Sequence, residues 1–79
     1  MERELCELRP GQSAVVQAVG GEGALHKRLL EMGLTPGTRL TLRRAAPLGD
    51  PIEIGLRGYL LTLRRQDATR VTVRPEAQP

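Results

Sequence analysis

The sequence predicts a mainly β domain: a small, partly closed barrel of about five strands, with one α-helix inserted after the first. Three observations predict it. From Leu40 onward, apolar residues recur at every second position in three successive runs. Tight turns bearing Gly or Pro separate these runs. Only Ala24 to Met32 carries the three-to-four spacing of an amphipathic helix.

The elements follow in order. Leu5 and Leu8 lead into Arg9-Pro10-Gly11, a turn signal with proline before glycine. Ser13 to Val19 is valine-rich and reads as the first strand. Val15, Val16 and Val19 do not share one period-2 phase, which a β-bulge would reconcile. Gly20-Gly21-Glu22-Gly23 is a flexible connector. In the helix, Leu25, Leu29 and Met32 form one stripe, and Lys27 and Glu31 form an i, i+4 ion pair on the opposite side. Gly33 stands where a helix needs a left-handed residue after its C-cap, with Leu34 as the accompanying apolar contact. Thr35-Pro36-Gly37-Thr38 has the residues of a type II turn.

Strands are then expected around Leu40 and Leu42, around Ile52, Ile54 and Leu56, and around Tyr59, Leu61 and Leu63. Arg57-Gly58 forms the hairpin tip between the last two. Gln66 to Arg70 has room for one helical turn with Ala68 inward, and Val71 and Val73 make a last short strand. Residues 1–75 are expected to form the domain and residues 76–79 a frayed tail.

A chain of 79 residues holds one domain. The per-residue rule gives it a total stability of roughly 4–12 kcal/mol. With no Trp or Phe and a single tyrosine, Tyr59, its core must be built from Leu, Val, Ile and Ala. The net charge of +3 comes from arginine, since Lys27 is the only lysine. Such a charge reads either as solvated strand faces or as attraction to an anionic partner. Cys6 is the only cysteine, so no intramolecular disulfide forms, in keeping with a reducing compartment. No apolar run approaches the roughly 18 residues needed to span a bilayer, and no signal peptide is visible. A soluble, cytoplasmic protein is the expectation.

Chemistry has few footholds. A structural zinc site wants about four convergent Cys/His ligands. Here Cys6 and His26 are the weak candidates, without a CxxC or HxxxH, and Met32 lies on the apolar stripe. No intrinsic metal site, no cofactor and no catalytic residue are expected. The glycine-rich Gly20 to Gly23 lacks the Lys-Ser/Thr of a phosphate-binding loop. The dibasic pairs Arg43-Arg44 and Arg64-Arg65 suit phosphate contacts, but single-strand binding also uses aromatic platforms, and Tyr59 stands alone. Proline-rich peptide recognition needs an aromatic groove and meets the same objection.

Protein–protein contact remains. Leu30 lies roughly 120° from the centre of the helix stripe, from the 100° helical step. It either widens the core face or forms a partner-binding ridge. Leu48 is an apolar residue on a loop between Pro47 and Gly49-Asp50-Pro51, where function is often carried.

Three motif clusters together resemble the ferrous-iron transport A family, FeoA. They are Arg28-Leu29-Leu30-Glu31-Met32-Gly33-Leu34-Thr35-Pro36-Gly37, Ala46-Pro47-Leu48-Gly49-Asp50-Pro51-Ile52-Glu53-Ile54, and Gly58-Tyr59-Leu60-Leu61-Thr62-Leu63-Arg64. The similarity runs from Leu8-Arg9-Pro10-Gly11 to Val71-Thr72-Val73. It implies an SH3-like barrel and a cytoplasmic accessory role in ferrous-iron uptake, docking on the cytoplasmic part of the FeoB permease and modulating it. On that reading Leu30 and Leu48 are the apolar anchors, with Arg28, Glu31, Pro47 and Asp50 around them, and self-association is a further mode. The family's transition-metal label carries over only weakly, because no ligand cluster is present. The alternatives are a stand-alone barrel that binds nucleic acid and a repressor-type regulatory SH3-like domain, although the helix-turn-helix of a repressor is missing.

Overall fold

The computed structural model describes residues 1–77. One antiparallel sheet of six strands, in the order β1-β6-β2-β3-β4-β5, carries the fold. The strands are β1 (Arg3–Glu4), β2 (Ser13–Val19), β3 (Arg39–Ala45), β4 (Ile52–Leu56), β5 (Tyr59–Leu63) and β6 (Val71–Pro75). Helix α1 (Gly23–Glu31) follows β2, and the four-residue α2 (Arg65–Ala68) follows β5. The outermost strands, β1 and β5, do not pair with each other, so the curl stays open along one seam.

The sixth strand was not expected. Arg3 and Glu4 pair with Val73 and Thr72 of β6. A 3-10 turn over Leu5–Glu7 then drops Leu5 and Cys6 into the interior. A two-residue strand carries no alternation to read, so only its partner reveals it.

Elsewhere the structure follows the local chemistry. The register of β2 against β6 shifts between Val16 and Ala18, which is the bulge that the valine phases require. Val16 is buried, and Val19 packs against the core from the other side of the shift. A second irregularity falls in β3 between Leu42 and Arg44. The type II turn closes with Thr38 N–H donating to the Thr35 carbonyl at 3.0 Å, and Gly37 has φ 92°.

Helix α1 starts and ends one residue earlier than the periodicity predicts, with Met32 as its C-cap. Leu29 is fully buried, while Leu25 and Met32 are only partly so. The helix end is a full Schellman motif. Gly33 N–H donates to the Leu30 carbonyl at 3.0 Å and Leu34 N–H to the Leu29 carbonyl at 3.2 Å. Leu29 and Leu34 provide the matching buried apolar pair. The Lys27–Glu31 ion pair does not form; both side chains stand free in solvent. An exposed i, i+4 pair gains too little to overcome the entropy of two long side chains.

Two expectations shift near the C-terminus. The helical turn begins at Arg65 instead of Gln66, with Ala68 fully buried as expected. Glu76 does not open a frayed tail. Its N–H donates to the Ser13 carbonyl at 2.9 Å, and its carboxylate takes two hydrogen bonds from Arg39, at 2.6 and 3.1 Å. Of the expected tail, residues 78–79 lie outside the described residues.

The core is almost wholly aliphatic: Leu5, Leu29, Leu34, Leu40, Ile52, Ile54, Leu56, Val16, Val71 and Val73 are its largest fully buried members. Among the described residues no buried side-chain N or O lacks a hydrogen-bond partner. Tyr59 departs from its strand pattern. It opens β5 in the inward phase yet is 47% exposed, and its hydroxyl donates to the Met32 carbonyl at the end of α1.

Candidate functional site

The loop between β3 and β4 is braced at its base. Ala46 N–H donates to the Pro51 carbonyl at 2.9 Å and Gly49 N–H to the Ala46 carbonyl at 2.7 Å. Gly49 takes φ 86°, which a residue with a Cβ adopts only at a cost. Arg65 adds two ties: its backbone N–H donates to Asp50 Oδ1 at 2.9 Å, and its guanidinium reaches the Gly49 carbonyl at 3.4 Å. On this braced loop Leu48 stands 97% exposed, next to an exposed Pro47.

Asp50 therefore has a structural task as well as a charge. Arg64, the N-cap of α2, offers no side-chain cap, and the Asp50 carboxylate satisfies the first free N–H of that helix instead. Further along α2, Asp67 faces Arg28 of α1, with Oδ2 and Nη2 3.9 Å apart. Helix α2 thus touches both the loop and the flank of α1. Sequence reasoning read Arg65 only as half of a dibasic pair and gave Asp67 no task beside the loop. Their signal was an acidic residue in the first turn of a short helix, which is visible only once that helix is placed.

On α1, Leu30 is half-buried and packs outside the core cluster, whereas Met32 packs against it. The Leu30 side chain therefore does not widen the core stripe. Glu31 is exposed, with no ion-pair partner among the described residues.

Cys6 and His26 are not brought together. Cys6 is buried after β1, with Sγ 3.5 Å from a Glu4 carboxylate oxygen. Burial, and then the hydrogen bond and charge of Glu4, push its thiol above the usual range, opposite to what a nucleophile needs. His26 Nδ1 lies 3.4 Å from the Gly20 carbonyl, which orients the ring at the start of the helix. Among the described residues no three His, Cys, Asp or Glu side chains converge as metal ligands. Of the dibasic pairs, Arg44 lies 3.6 Å from Glu53, and Arg65 is engaged with the loop.

A family model, described as the FeoA domain, matches residues 3–75, nearly the whole chain. The chain belongs to the FeoA domain family. FeoA domains are part of ferrous-iron transport. A Porphyromonas gingivalis protein described as an Fe(2+) transport protein A/Fe(2+) transporter FeoB fusion is 42% identical over 69 residues, which is 87% of this chain and 8% of that protein. The chain thus spans less than a tenth of that relative. The solution structure of the FeoA protein from Chlorobium tepidum is 45% identical and superposes with a TM-score of 0.87, covering 95% of this chain and 71% of that one. The crystal structure of Stenotrophomonas maltophilia FeoA complexed with zinc, described as a procaryotic SH3 domain protein, is 30% identical with a TM-score of 0.79, covering 96% and 95%. The fold is SH3-like, as the family resemblance implied.

Proposed function

We propose that this FeoA domain is a cytoplasmic adaptor that docks on the cytoplasmic part of a FeoB-type ferrous-iron permease and modulates it. The observation that carries the reading is Leu48, an almost fully exposed leucine on a loop braced from both sides. A braced loop loses little conformational entropy on binding, so an apolar residue displayed there is pre-organised as an anchor. Leu30, half-buried outside the core, is the second anchor. Arg28, Glu31 and Pro47 border the two, and Asp50 holds the loop. The FeoA–FeoB fusion in the Porphyromonas relative supports the choice of partner, because a fused pair works at permanent proximity. Nothing in this mode calls for a bound cofactor or a catalytic group.

The test is a calorimetric titration against the isolated cytoplasmic domain of FeoB from the same organism, with and without guanine nucleotide. Saturable binding is expected. Leu48→Ala should weaken it by about 10- to 100-fold, the equivalent of the 1.5–3 kcal/mol for burying a leucine. The thermal midpoint should barely move, because the side chain touches nothing in the free protein. No binding in either nucleotide state, or a Leu48→Ala variant that binds as well as the parent, would sink the proposal.

A further inference from the structure

The outer face of β3, β4 and β5 holds a shallow groove of about 430 Å³, lined among others by Arg39, Arg43, Gly55, Arg57 and Leu60. Part of its floor is apolar. Gly55 lies opposite Leu60 in the β4–β5 register, and Leu60 is 58% exposed in mid-strand. The stem of Arg43 crosses Gly55, with its Cδ 3.4 Å from where a Cβ would stand. A glycine inside a strand is a site where another chain can approach the backbone closely.

The rim is cationic. Arg39 is already matched by Glu76. Arg43 and Arg57 have no carboxylate partner among the described residues. Arg57 also occupies a position that suits it badly. Leu56 pairs with Tyr59, so Arg57 and Gly58 form a two-residue hairpin loop, with φ 36° and 90°. Positive φ at both positions is the geometry that favours Asn-Gly. An arginine there costs about 1–2 kcal/mol of backbone strain, and no side-chain hydrogen bond or ion pair within the described chain offsets it. Strain of this kind points to a task for the side chain.

We propose that this face is a second docking groove, for a short acidic protein segment bearing an apolar residue. The apolar residue sits on Leu60 and Gly55, and its neighbouring carboxylates meet Arg43 and Arg57. Charge complementarity selects the acidic partner. A single-stranded nucleic acid would bring the same charge but also needs aromatic platforms. The sole tyrosine has its hydroxyl tied to the Met32 carbonyl. The groove does not involve Leu30 or Leu48 and stands independently of permease docking.

The experiment is fluorescence anisotropy of the labelled peptide acetyl-EDLEDE-amide titrated with the full chain. Saturable binding that weakens as salt rises is expected. Replacing the peptide leucine by alanine, or making Leu60→Ala in the protein, should weaken it further. The decisive variant is Arg57→Asn. It should raise the thermal midpoint, by relieving the strained φ, while weakening peptide binding about two- to fivefold, the effect of one exposed ion pair. Arg74→Gln, which removes the same charge from the exposed part of β6, should leave binding unchanged. Equal losses in Arg57→Asn and Arg74→Gln would reduce the effect to net charge and overturn the proposal. So would indifference to the peptide leucine, or an oligothymidylate that binds more tightly than the peptide.

Discussion

Replacing Gly33 with alanine tests the junction on which helix and sheet meet. Gly33 has φ 105°, beyond the left-handed well that residues with a Cβ can still enter. Holding alanine there should cost about 1–3 kcal/mol. The new Cβ would also stand 2.5 Å from the Tyr59 hydroxyl, and 3.8 Å from the ring carbon that bears it. Only the oxygen is in the way. The tyrosine is half-exposed and can swing outward, so the added penalty is limited to its hydrogen bond with the Met32 carbonyl. At the surface that bond contributes about 0.5–1 kcal/mol. Gly33→Ala should therefore lose about 1.5–4 kcal/mol in total, a large share of the roughly 4–12 kcal/mol available to a domain of this size. The thermal midpoint should fall by at least about 6 °C.

Urea denaturation followed by circular dichroism, on wild type, Gly33→Ala, Tyr59→Phe and the double variant, separates the two contributions. Phenylalanine removes the oxygen that the new methyl group meets. The double variant should then be more stable than the sum of the single losses by about 0.5–1 kcal/mol, above the roughly 0.3–0.5 kcal/mol within which independent sites add. Strict additivity would refute the competition between Cβ and hydroxyl. A Gly33→Ala loss below about 0.5 kcal/mol, the scatter of ordinary surface substitutions, would refute the backbone requirement itself.

Asp50→Ala should cost about 0.5–2 kcal/mol by uncapping α2, and Asp50→Asn, which keeps an acceptor, should cost less; thermal melts of both variants check this. The ion pair of Arg39 with Glu76 should make stability depend on pH. The hydrogen bonds from Arg39 hold the Glu76 carboxyl below its ordinary value of 4.5, so the unfolded chain binds the proton more readily. The contribution is present above pH 4.5 and fades as pH falls through the depressed value in the folded state. Melts of wild type and Glu76→Gln should differ at neutral pH and converge in acid, with the neutral gap shrinking in high salt; a gap that widens in acid would contradict the assignment.

Much of the domain was legible because its signals are local. The alternation over Ile52 to Leu56, the Pro-Gly turn at Thr35 to Thr38 and the glycine after Met32 each specify a backbone state through the residue's own sterics. Even the bulge in β2 could be anticipated, since Val16 and Val19 cannot both face inward in a regular strand. The loop leucine at position 48 stood out for the same reason: an apolar side chain among turn residues has no local place to hide.

What sequence alone could not decide depends on partners distant in the chain. Arg3–Glu4 is a strand only because β6 lies alongside it, and Glu76 is ordered only because Arg39 and Ser13 lie across from it. Asp50 reads as a free charge until α2 brings the Arg65 N–H to within 2.9 Å. Leu30 is ambiguous by periodicity, because a helix stripe has no sharp edge; the packing of the core settles that it lies outside. The family motifs, the turns and the strand faces were written in short-range sterics and hydropathy. The groove over Gly55 and the bracing of the loop arise from contacts closed across the sheet, and no window of neighbouring residues contains them.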